Sequence, residues 1–342
     1  MKTKILSFAA AVLLVITAIS CTTSDADPAG QNSSGGTITV NTGDLKLFLI
    51  DTAKVNTITM TGTNELTVLN RKVNSNSYIG SFSLNSDASK FVYVDNQGAF
   101  ANGAFTSVKS IRVANANGSN DVAIYTLPNS TNTVNTEVGF VKFGTSKIYF
   151  SLQTQTFSGG TTSTITKLNS INFDGSGLVS QNYNGSLSAM YIATVTADGK
   201  YLTDYLSAPN QPRFQIVDRA GDNGAGSIVY QENITAITAS ASPAVFSYDN
   251  KFAYYGFVEN QSLKVRVINM TTFTAVTKTI ASNFTLSSFS LYISVASDNN
   301  RGILTVTGYN NAPSKSFVFN LSTSSSTTFN NNDSYVDYVT TF

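Results

Sequence analysis

Short apolar runs alternate with tight polar turns along most of this chain. One phrase recurs at intervals of about 50 residues: an apolar run, a turn that ends in Lys or Arg, and a second apolar run. Asp, Gly and Asn, which dominate these turns, tolerate the backbone conformations of short hairpins. Each copy therefore predicts a β-hairpin. The turns are Asp87–Lys90, Gly144–Lys147, Asp198–Lys200, Asp249–Lys251 and Asp298–Arg301.

A second phrase follows each hairpin, and it consists of an alternating strand that ends near Asn or Asp, a polar turn and a further strand. Four antiparallel strands in each of six periods are the pattern of a six-bladed β-propeller. We therefore predict an all-β propeller of four-stranded antiparallel blades over residues 37–342. The copies of the alternating strand are Leu66–Asn70, Ile111–Val113, Ile171–Asp174, Phe214–Asp218, Val265–Asn269 and Phe317–Asn320.

The two ends of this domain predict how the ring closes. The first copy is degenerate, with Ile38–Val40 as its first apolar run and Leu47–Ile50 as its second. The last segment, Ser334–Phe342, resembles a first strand with no turn after it. We expect this C-terminal strand to pair into the first blade, because closure of the ring removes a long free sheet edge.

The phrase of apolar run, Asp-x-x-Lys and apolar run resembles the repeats of TolB-type six-bladed propellers. The resemblance covers residues 37–342 in short, divergent copies, and the chain departs from the family in having no Trp. It implies the propeller fold and says little about activity, because one fold hosts many unrelated functions.

The first 20 residues have the pattern of a secretory signal peptide. Lys2 and Lys4 precede the apolar run Ile5–Ile19, which is short for a membrane span. The segment Ala18–Cys21 resembles the lipobox of bacterial lipoproteins, in which the Cys carries acyl chains such as palmitate, although the family usually has Leu where Ala18 stands. Cys21 is the single cysteine of the chain, so it has no disulfide partner within the chain. An ordinary secretory signal with an incidental Cys21 is the alternative.

Residues 21–36 are small and polar with Gly and Pro, which predicts a flexible tether between the lipid and the propeller. We therefore expect a membrane-anchored lipoprotein at the outer membrane or cell surface of a Gram-negative bacterium. The membrane would be one partner, through the lipid, and an envelope protein or glycan another.

Composition removes several kinds of chemistry. The chain has no His and one Cys, which excludes Ser-His-Asp and Cys-His catalysis and His metal sites. Charged residues make up 12% of the chain and the formal net charge is +1, so no basic surface for nucleic acid is expected. We predict no cofactor, with calcium left open because six-bladed lactonase-like propellers hold that ion with Glu, Asp and Asn ligands. The four Glu residues are Glu65, Glu137, Glu232 and Glu259.

Candidate binding residues lie where loops after second strands are expected to open onto one propeller face. These are Tyr254 and Tyr255, and Tyr309 with Asn310 and Asn311. Asp95–Thr106 and Gln153–Thr164 look like insertions in the same loop position, and loops of this kind carry function. The leading hypothesis is a non-catalytic platform that binds a protein or glycan. The alternatives are a calcium-dependent lactonase-like hydrolase with carboxylates in the central channel, and a structural surface-coat component.

Overall fold

The protein is described by a computed structural model in which every regular element of the described residues is a β-strand. Within this part of the chain there is no α-helix long and apolar enough to span a membrane. The structure describes residues 45–59, 65–101, 104–131, 133–182, 191–208, 211–219, 226–233, 241–283, 289–308, 315–330 and 335–341.

The strands form six sheets of four antiparallel strands each. Blade 1 contains β1 (Leu45–Asp51), β2 (Lys54–Thr59) and β3 (Leu66–Asn70). Blade 2 contains β4 (Ser77–Leu84), β5 (Lys90–Ala101), β6 (Ala104–Asn115) and β7 (Val122–Thr126). Blade 3 contains β8 (Val134–Phe143), β9 (Ile148–Ser158), β10 (Thr161–Ile171) and β11 (Val179–Asn182).

The second half of the ring is built in the same order. Blade 4 contains β12 (Tyr191–Val195), β13 (Tyr201–Ala208), β14 (Gln211–Asp218) and β15 (Ser227–Asn233). Blade 5 contains β16 (Val245–Phe246), β17 (Phe252–Glu259), β18 (Ser262–Asn269) and β19 (Ala275–Ala281). Blade 6 contains β20 (Phe289–Val295), β21 (Arg301–Gly308), β22 (Lys315–Asn320) and β23 (Ser325–Asn330). The last strand, β24 (Tyr335–Thr341), returns to blade 1.

The C-terminal strand closes the ring, as the sequence predicts. β24 is the innermost strand of blade 1 and pairs antiparallel with β1, from Leu45 opposite Thr341 to Ile50 opposite Tyr335. The predicted six-bladed architecture is confirmed. Ile38–Val40, proposed above as the first run of this blade, lies outside the described residues.

One strand of blade 1 was assigned to the wrong position. Leu66–Asn70 was predicted to be the third strand, by analogy with the other copies, but it is β3, the outermost strand of the blade. The third position is held by Lys54–Thr59, which follows β1 after a turn at Thr52 and Ala53. Leu47–Ile50 lies in β1, the second strand, as predicted, so the error is the omission of Lys54–Thr59 as a strand between β1 and Leu66–Asn70.

The hydrophobic core is divided into six clusters, one between each pair of neighbouring blades. Alternate residues of a strand point to opposite faces of its sheet, and both faces are covered in this ring. In β1, Leu47 and Leu49 pack against blade 6, whereas Phe48 and Ile50 pack against blade 2. Every blade is therefore buried on both faces.

The acidic residues of the repeated turns have a structural role. Oδ1 of Asp198 accepts hydrogen bonds from the backbone N–H of Lys200 at 3.0 Å and from the hydroxyl of Thr196 at 2.6 Å. Oδ1 of Asp249 accepts a hydrogen bond from the backbone N–H of Lys251 at 3.1 Å. These are Asx turns, in which a side chain replaces a backbone acceptor. They explain why Asp recurs at intervals along the sequence.

The two ends of the ring differ. The Asp-x-x-Lys turns join first to second strands at one end, which we call the turn face. Second and third strands are joined at the opposite end, which we call the hairpin face. The hairpin face includes the β5–β6 and β9–β10 connections, whose strands run 12 and 11 residues each.

We expect removal of residues 335–342 to abolish cooperative unfolding. The truncation exposes the edge of β1, whose Leu47 and Phe48 are fully buried, and leaves blade 1 without its innermost strand. The expected loss is on the order of 5 kcal/mol or more, which is comparable with the whole stability of a typical domain. Thermal unfolding followed by circular dichroism measures it. Deletion of Phe342 alone is the control and should leave the transition unchanged, and an equally sharp transition in the longer truncation would contradict ring closure by β24.

Candidate functional site

A cavity of about 310 Å³ lies inside the ring, and its lining comes from the innermost strands of blades 2 to 6. This position makes it part of the central channel of the propeller. The lining residues from β4 and β8 lie at the ends of these strands nearest the turn face. Most lining residues are apolar or small, including Gly80, Phe140 and Ala193. Among the described lining residues, Lys142 is the single charged side chain.

Two serines of blade 2 fix the strand that carries this lysine. The backbone N–H of Val141 donates to Oγ of Ser81 at 2.9 Å, and that of Phe143 donates to Oγ of Ser83 at 3.2 Å. Val141 and Phe143 also pack in the cluster between blades 2 and 3. Because side chains alternate along a strand, Lys142 points away from blade 2.

Lys142 extends past blade 4 to a side chain of blade 5. Its Nζ lies 5.0 Å from the centre of the Tyr248 ring, which is a cation–π contact. Desolvation by the surrounding protein lowers the pKa of Lys142 to about 8, and burial raises the pKa of Tyr248. No carboxylate partner of Lys142 and no hydrogen bond of the Tyr248 hydroxyl occurs in the described part of the chain. The channel thus holds a positive charge with no counter-ion on these residues.

Lys142 is not among the candidate residues that the sequence predicts. It stands within the apolar run Phe140-Val-Lys-Phe143, whereas the runs at the same place in other repeats carry Ser, Thr or an apolar residue, such as Ser83. A charge in an otherwise apolar innermost strand was the available signal.

The two predicted insertions are strand extensions and not irregular loops. Asp95–Ala101 pairs with Ala104–Ser110, and Gln153–Ser158 pairs with Thr161–Thr166 in continuous antiparallel register. Gly159 and Gly160, with φ of +57° and +80°, form the tight turn that this second hairpin needs.

The hairpin face carries exposed apolar side chains on these extensions. Phe157 on β9 and Ile165 on β10 are 41% and 55% exposed, and Val108 on β6 is 51% exposed. Their neighbours on β9 and β10 are mainly Thr, Ser and Gln, so the surface combines apolar contacts with uncharged hydrogen-bonding groups. This composition is suited to contacts with a protein or a glycan.

The predicted placement of Tyr254 and Tyr255 after a second strand, on an open loop, is wrong. Both residues lie inside β17, where the relative exposures are 0% and 2%. The Tyr254 hydroxyl donates to the backbone carbonyl of Asn299 in blade 6 at 2.9 Å. The Tyr255 hydroxyl donates to Oε2 of Glu232 in blade 4 at 2.8 Å. Both side chains therefore join neighbouring blades. Tyr309, Asn310 and Asn311 lie outside the described residues.

The glutamates are held in pairs away from the channel cavity. The ion pairs of Glu137 and Glu232 join neighbouring blades, whereas Glu65 and Glu259 bind partners within their own blades. The partners are Lys109 for Glu137, Arg266 for Glu232, Lys264 for Glu259 at 2.7 Å, and Asn56 for Glu65 at 3.2 Å. No group of three or more Asp, Glu, Cys or His side chains that could hold a metal ion occurs among the described residues.

A second ionic network lies where blade 1 leads into blade 2. Asp95 is 2% exposed and pairs with Arg71 at 2.6 Å. Asp121 accepts hydrogen bonds from Arg112 at 2.9 Å and from the Tyr93 hydroxyl at 2.8 Å. Tyr93 and Arg112 face each other across β5 and β6, as Tyr255 and Arg266 do across β17 and β18. The recurrence of this Tyr–Arg pair with a carboxylate indicates a structural device of the blades.

No protein-family model matches the sequence, and no curated protein matches it. Solved structures do match it. A chain of a nidogen/laminin complex is similar over 86% of this chain and 97% of its own, with 12% identity and a TM-score of 0.52. A protein assigned as TolB from Agrobacterium tumefaciens is similar over 86% of this chain and 91% of its own, with 8% identity and a TM-score of 0.49. An oligogalacturonate lyase has a TM-score of 0.48 at 12% identity, over 81% of this chain and 74% of its own. At such identities the likeness concerns the fold alone.

Replacement of Tyr255 should affect stability, because its hydroxyl and ring lie between blades. We expect Tyr255→Phe to lower the free energy of unfolding by about 1–2 kcal/mol, through loss of a hydrogen bond to a charged group. Tyr255→Ala should lower it by about 3–5 kcal/mol, through a cavity in the core. Chemical denaturation measures both. Tyr78→Phe, at a 45% exposed position, should change it by less than about 0.5 kcal/mol, and equal effects of Tyr255→Phe and Tyr78→Phe would contradict the structural role.

Proposed function

We propose that this protein is an exported lipoprotein whose propeller serves as a non-catalytic binding platform at the cell envelope. The partner is an envelope protein or a glycan, and it binds the hairpin face. The observation that carries the proposal is the pair of extended hairpins in blades 2 and 3, which present exposed Val108, Phe157 and Ile165 among uncharged polar residues.

Rigid support favours this role for the hairpins. Strands β5 and β9 continue from the buried core of their blades to the hairpins, so the exposed ends are anchored by packed residues such as Tyr93 and Phe150. A preorganised surface loses less conformational entropy when a partner binds. The Lys109–Glu137 ion pair also joins β6 to β8 below the two hairpins and holds blades 2 and 3 together.

The hydrolase alternative needs carboxylates that converge on the axis of the ring. The described residues that line the channel cavity include no carboxylate, and the four Glu side chains have partners elsewhere. Hard oxygen ligands of the kind that calcium requires are thus not assembled by these residues. We therefore base the proposal on binding.

The cellular location in this proposal rests on the N-terminal sequence. The signal peptide over residues 1–20, Cys21 and the tether over residues 21–36 would place the propeller at a membrane surface, held by acyl chains on Cys21. The tether would leave the hairpin face free to meet a partner.

Shortening the β9–β10 hairpin should remove the partner. Deletion of Gln155–Ser158 and Thr161–Thr164 joins the paired residues Thr154 and Ile165 through the original Gly159-Gly160 turn, so the register of the blade is kept. We expect the yield of a crosslinked envelope partner, captured from intact cells of the native host, to fall at least about tenfold. Quantitative mass spectrometry of the captured material measures it.

Point variants refine this test. Phe157→Ser with Ile165→Ser should reproduce the loss in a full-length hairpin, whereas Val276→Ser, at a 55% exposed position on the outer strand of blade 5, should not. Equal capture by the wild-type and shortened proteins would refute the hairpin face as the binding surface.

Replacement of Cys21 should release the protein from the membrane. The Cys21→Ser variant lacks the thiol that would carry the lipid, so we expect it in the soluble fraction after cell lysis, with the wild type in the membrane fraction. Intact-mass measurement of the wild type should show added acyl chains. An unmodified Cys21 in mature protein would support the ordinary secretory signal in place of the lipobox.

A further inference from the structure

The central channel contains a feature that the binding platform does not use. Lys142 is a cation inside the propeller, and its ammonium lies over the aromatic ring of Tyr248. By contrast, the buried Lys109 pairs with the carboxylate of Glu137, and the partly buried Arg112 pairs with that of Asp121. Lys142 is partly buried, and withdrawing an ammonium from water with no anion beside it costs free energy, which proteins usually avoid.

We propose that the channel cavity binds a small organic carboxylate, with the carboxylate group held by the ammonium of Lys142 and the hydroxyl of Tyr248. The two donors come from blades 3 and 5 and meet within the same cavity. A carboxylate has two oxygens, so it accepts a hydrogen bond from each donor at once.

The cavity also provides room for the rest of the ligand. Its volume of about 310 Å³ is at the lower end of small-molecule pockets. Tyr292, which is 38% exposed, adds an aromatic surface from blade 6, and the small Ala193 lines the cavity from blade 4. A mostly apolar lining with a few convergent polar groups is the usual composition of such a pocket.

Two of the innermost strands are irregular where they line the cavity. The pairing of β4 with β5 shifts between Ile79 and Phe82, and that of β8 with β9 shifts between Val138 and Val141. Gly80 and Gly139 lie within these shifts and line the cavity. A Cβ on Gly139 would meet Oγ of Ser151 at 2.6 Å, so glycine here lets β8 lie close to β9. The Ser81 and Ser83 hydrogen bonds to blade 3 then hold Lys142 in a fixed direction.

The site makes binding dependent on pH. The titratable side chains of the described lining are Lys142, Tyr248 and Tyr292, and only the ammonium form of Lys142 attracts an anion. Since the pKa of Lys142 is lowered to about 8 by desolvation, the ammonium is mostly present at pH 7 and is lost as the pH rises through that value. A bound carboxylate favours the charged form and raises the pKa again.

The test is calorimetric titration of the full-length protein in detergent with two matched pairs of probes: benzoate against benzyl alcohol, and glucuronate against glucose. At least one carboxylate should bind, and its neutral partner should not. Between pH 7 and about pH 9.5 the affinity for that carboxylate should fall about 30-fold, which follows from the pKa of about 8. Inorganic phosphate is the third probe, and it should bind more weakly because it has no organic body.

Variants identify the residues. Lys142→Met should weaken carboxylate binding at least about tenfold while the melting temperature stays equal or rises, because an apolar side chain replaces a desolvated charge. Tyr248→Phe removes the hydroxyl donor but leaves the aromatic ring over Lys142, so it should weaken binding severalfold. Lys251→Met removes a charge from an exposed turn, where the Lys251 side chain is 70% exposed, and should leave binding unchanged.

Several outcomes overturn the proposal. These are the absence of binding by both carboxylates, equal binding of a neutral partner, an affinity that does not change with pH, or unchanged affinity in Lys142→Met. Phosphate binding as tight as that of the carboxylates would show that the cavity does not select an organic carboxylate over an inorganic anion. The pH titration uses the wild-type protein, so the proposal is tested even where a variant fails to fold.

Discussion

Burial of both faces of every blade is the constraint on which this structure depends. A four-stranded sheet of this kind has no face that can be left in water, because alternate residues on each strand are apolar toward opposite neighbours. Phe48 and Leu49 of β1 are adjacent in sequence yet pack in different clusters, one with blade 2 and one with blade 6. Six interfaces are thus required for six blades, and the ring is stable only when the last interface is made. β24, near the C-terminus, makes this closure possible because it is the innermost strand of blade 1, whose other strands come from the start of the propeller.

This constraint explains how far the sequence could predict the fold. The period was readable because it rests on local chemistry: Asp198 and Asp249 form their turns with residues two positions away. Blade count and closure follow from that period and from one unmatched terminal strand. The strand order of blade 1 differs from the prediction because Lys54–Thr59, with Val55 and Ile58 among polar residues, has no apolar run to mark it as a strand. Leu66–Asn70 has the sequence of a third strand, and its place at the outside of the blade follows from its pairing with β2, which holds the third position.

The candidate site was harder to predict, for a related reason. In a sheet with one solvent-exposed face, strand positions alternate between buried and exposed, so the sequence shows which aromatic residues reach the surface. In a sheet buried on both faces, the sequence pattern does not separate buried from exposed positions. Tyr254 and Tyr255 therefore looked like surface residues next to a loop and proved to be two of the most buried side chains. Lys142 was not predicted because its role depends on other repeats. The rest of the cavity lining comes from blades 2, 4, 5 and 6, so the signal within its own repeat is limited to a charge in the apolar run Phe140–Phe143.

The ring separates its two candidate surfaces. The channel cavity is lined by the ends of β4 and β8 near the turn face, whereas Phe157 and Ile165 project at the hairpin face. A large partner that covers the hairpin face would leave the other end of the channel accessible, and a small molecule in the cavity would not need to displace that partner. The two surfaces are nevertheless joined by blade 3, since β8 carries both Glu137, paired with Lys109 below the hairpins, and Lys142 in the cavity. Any coupling between a partner and a channel ligand would therefore pass along β8. It would be found between Glu137 and Lys142, a short stretch that includes the pairing shift after Val138.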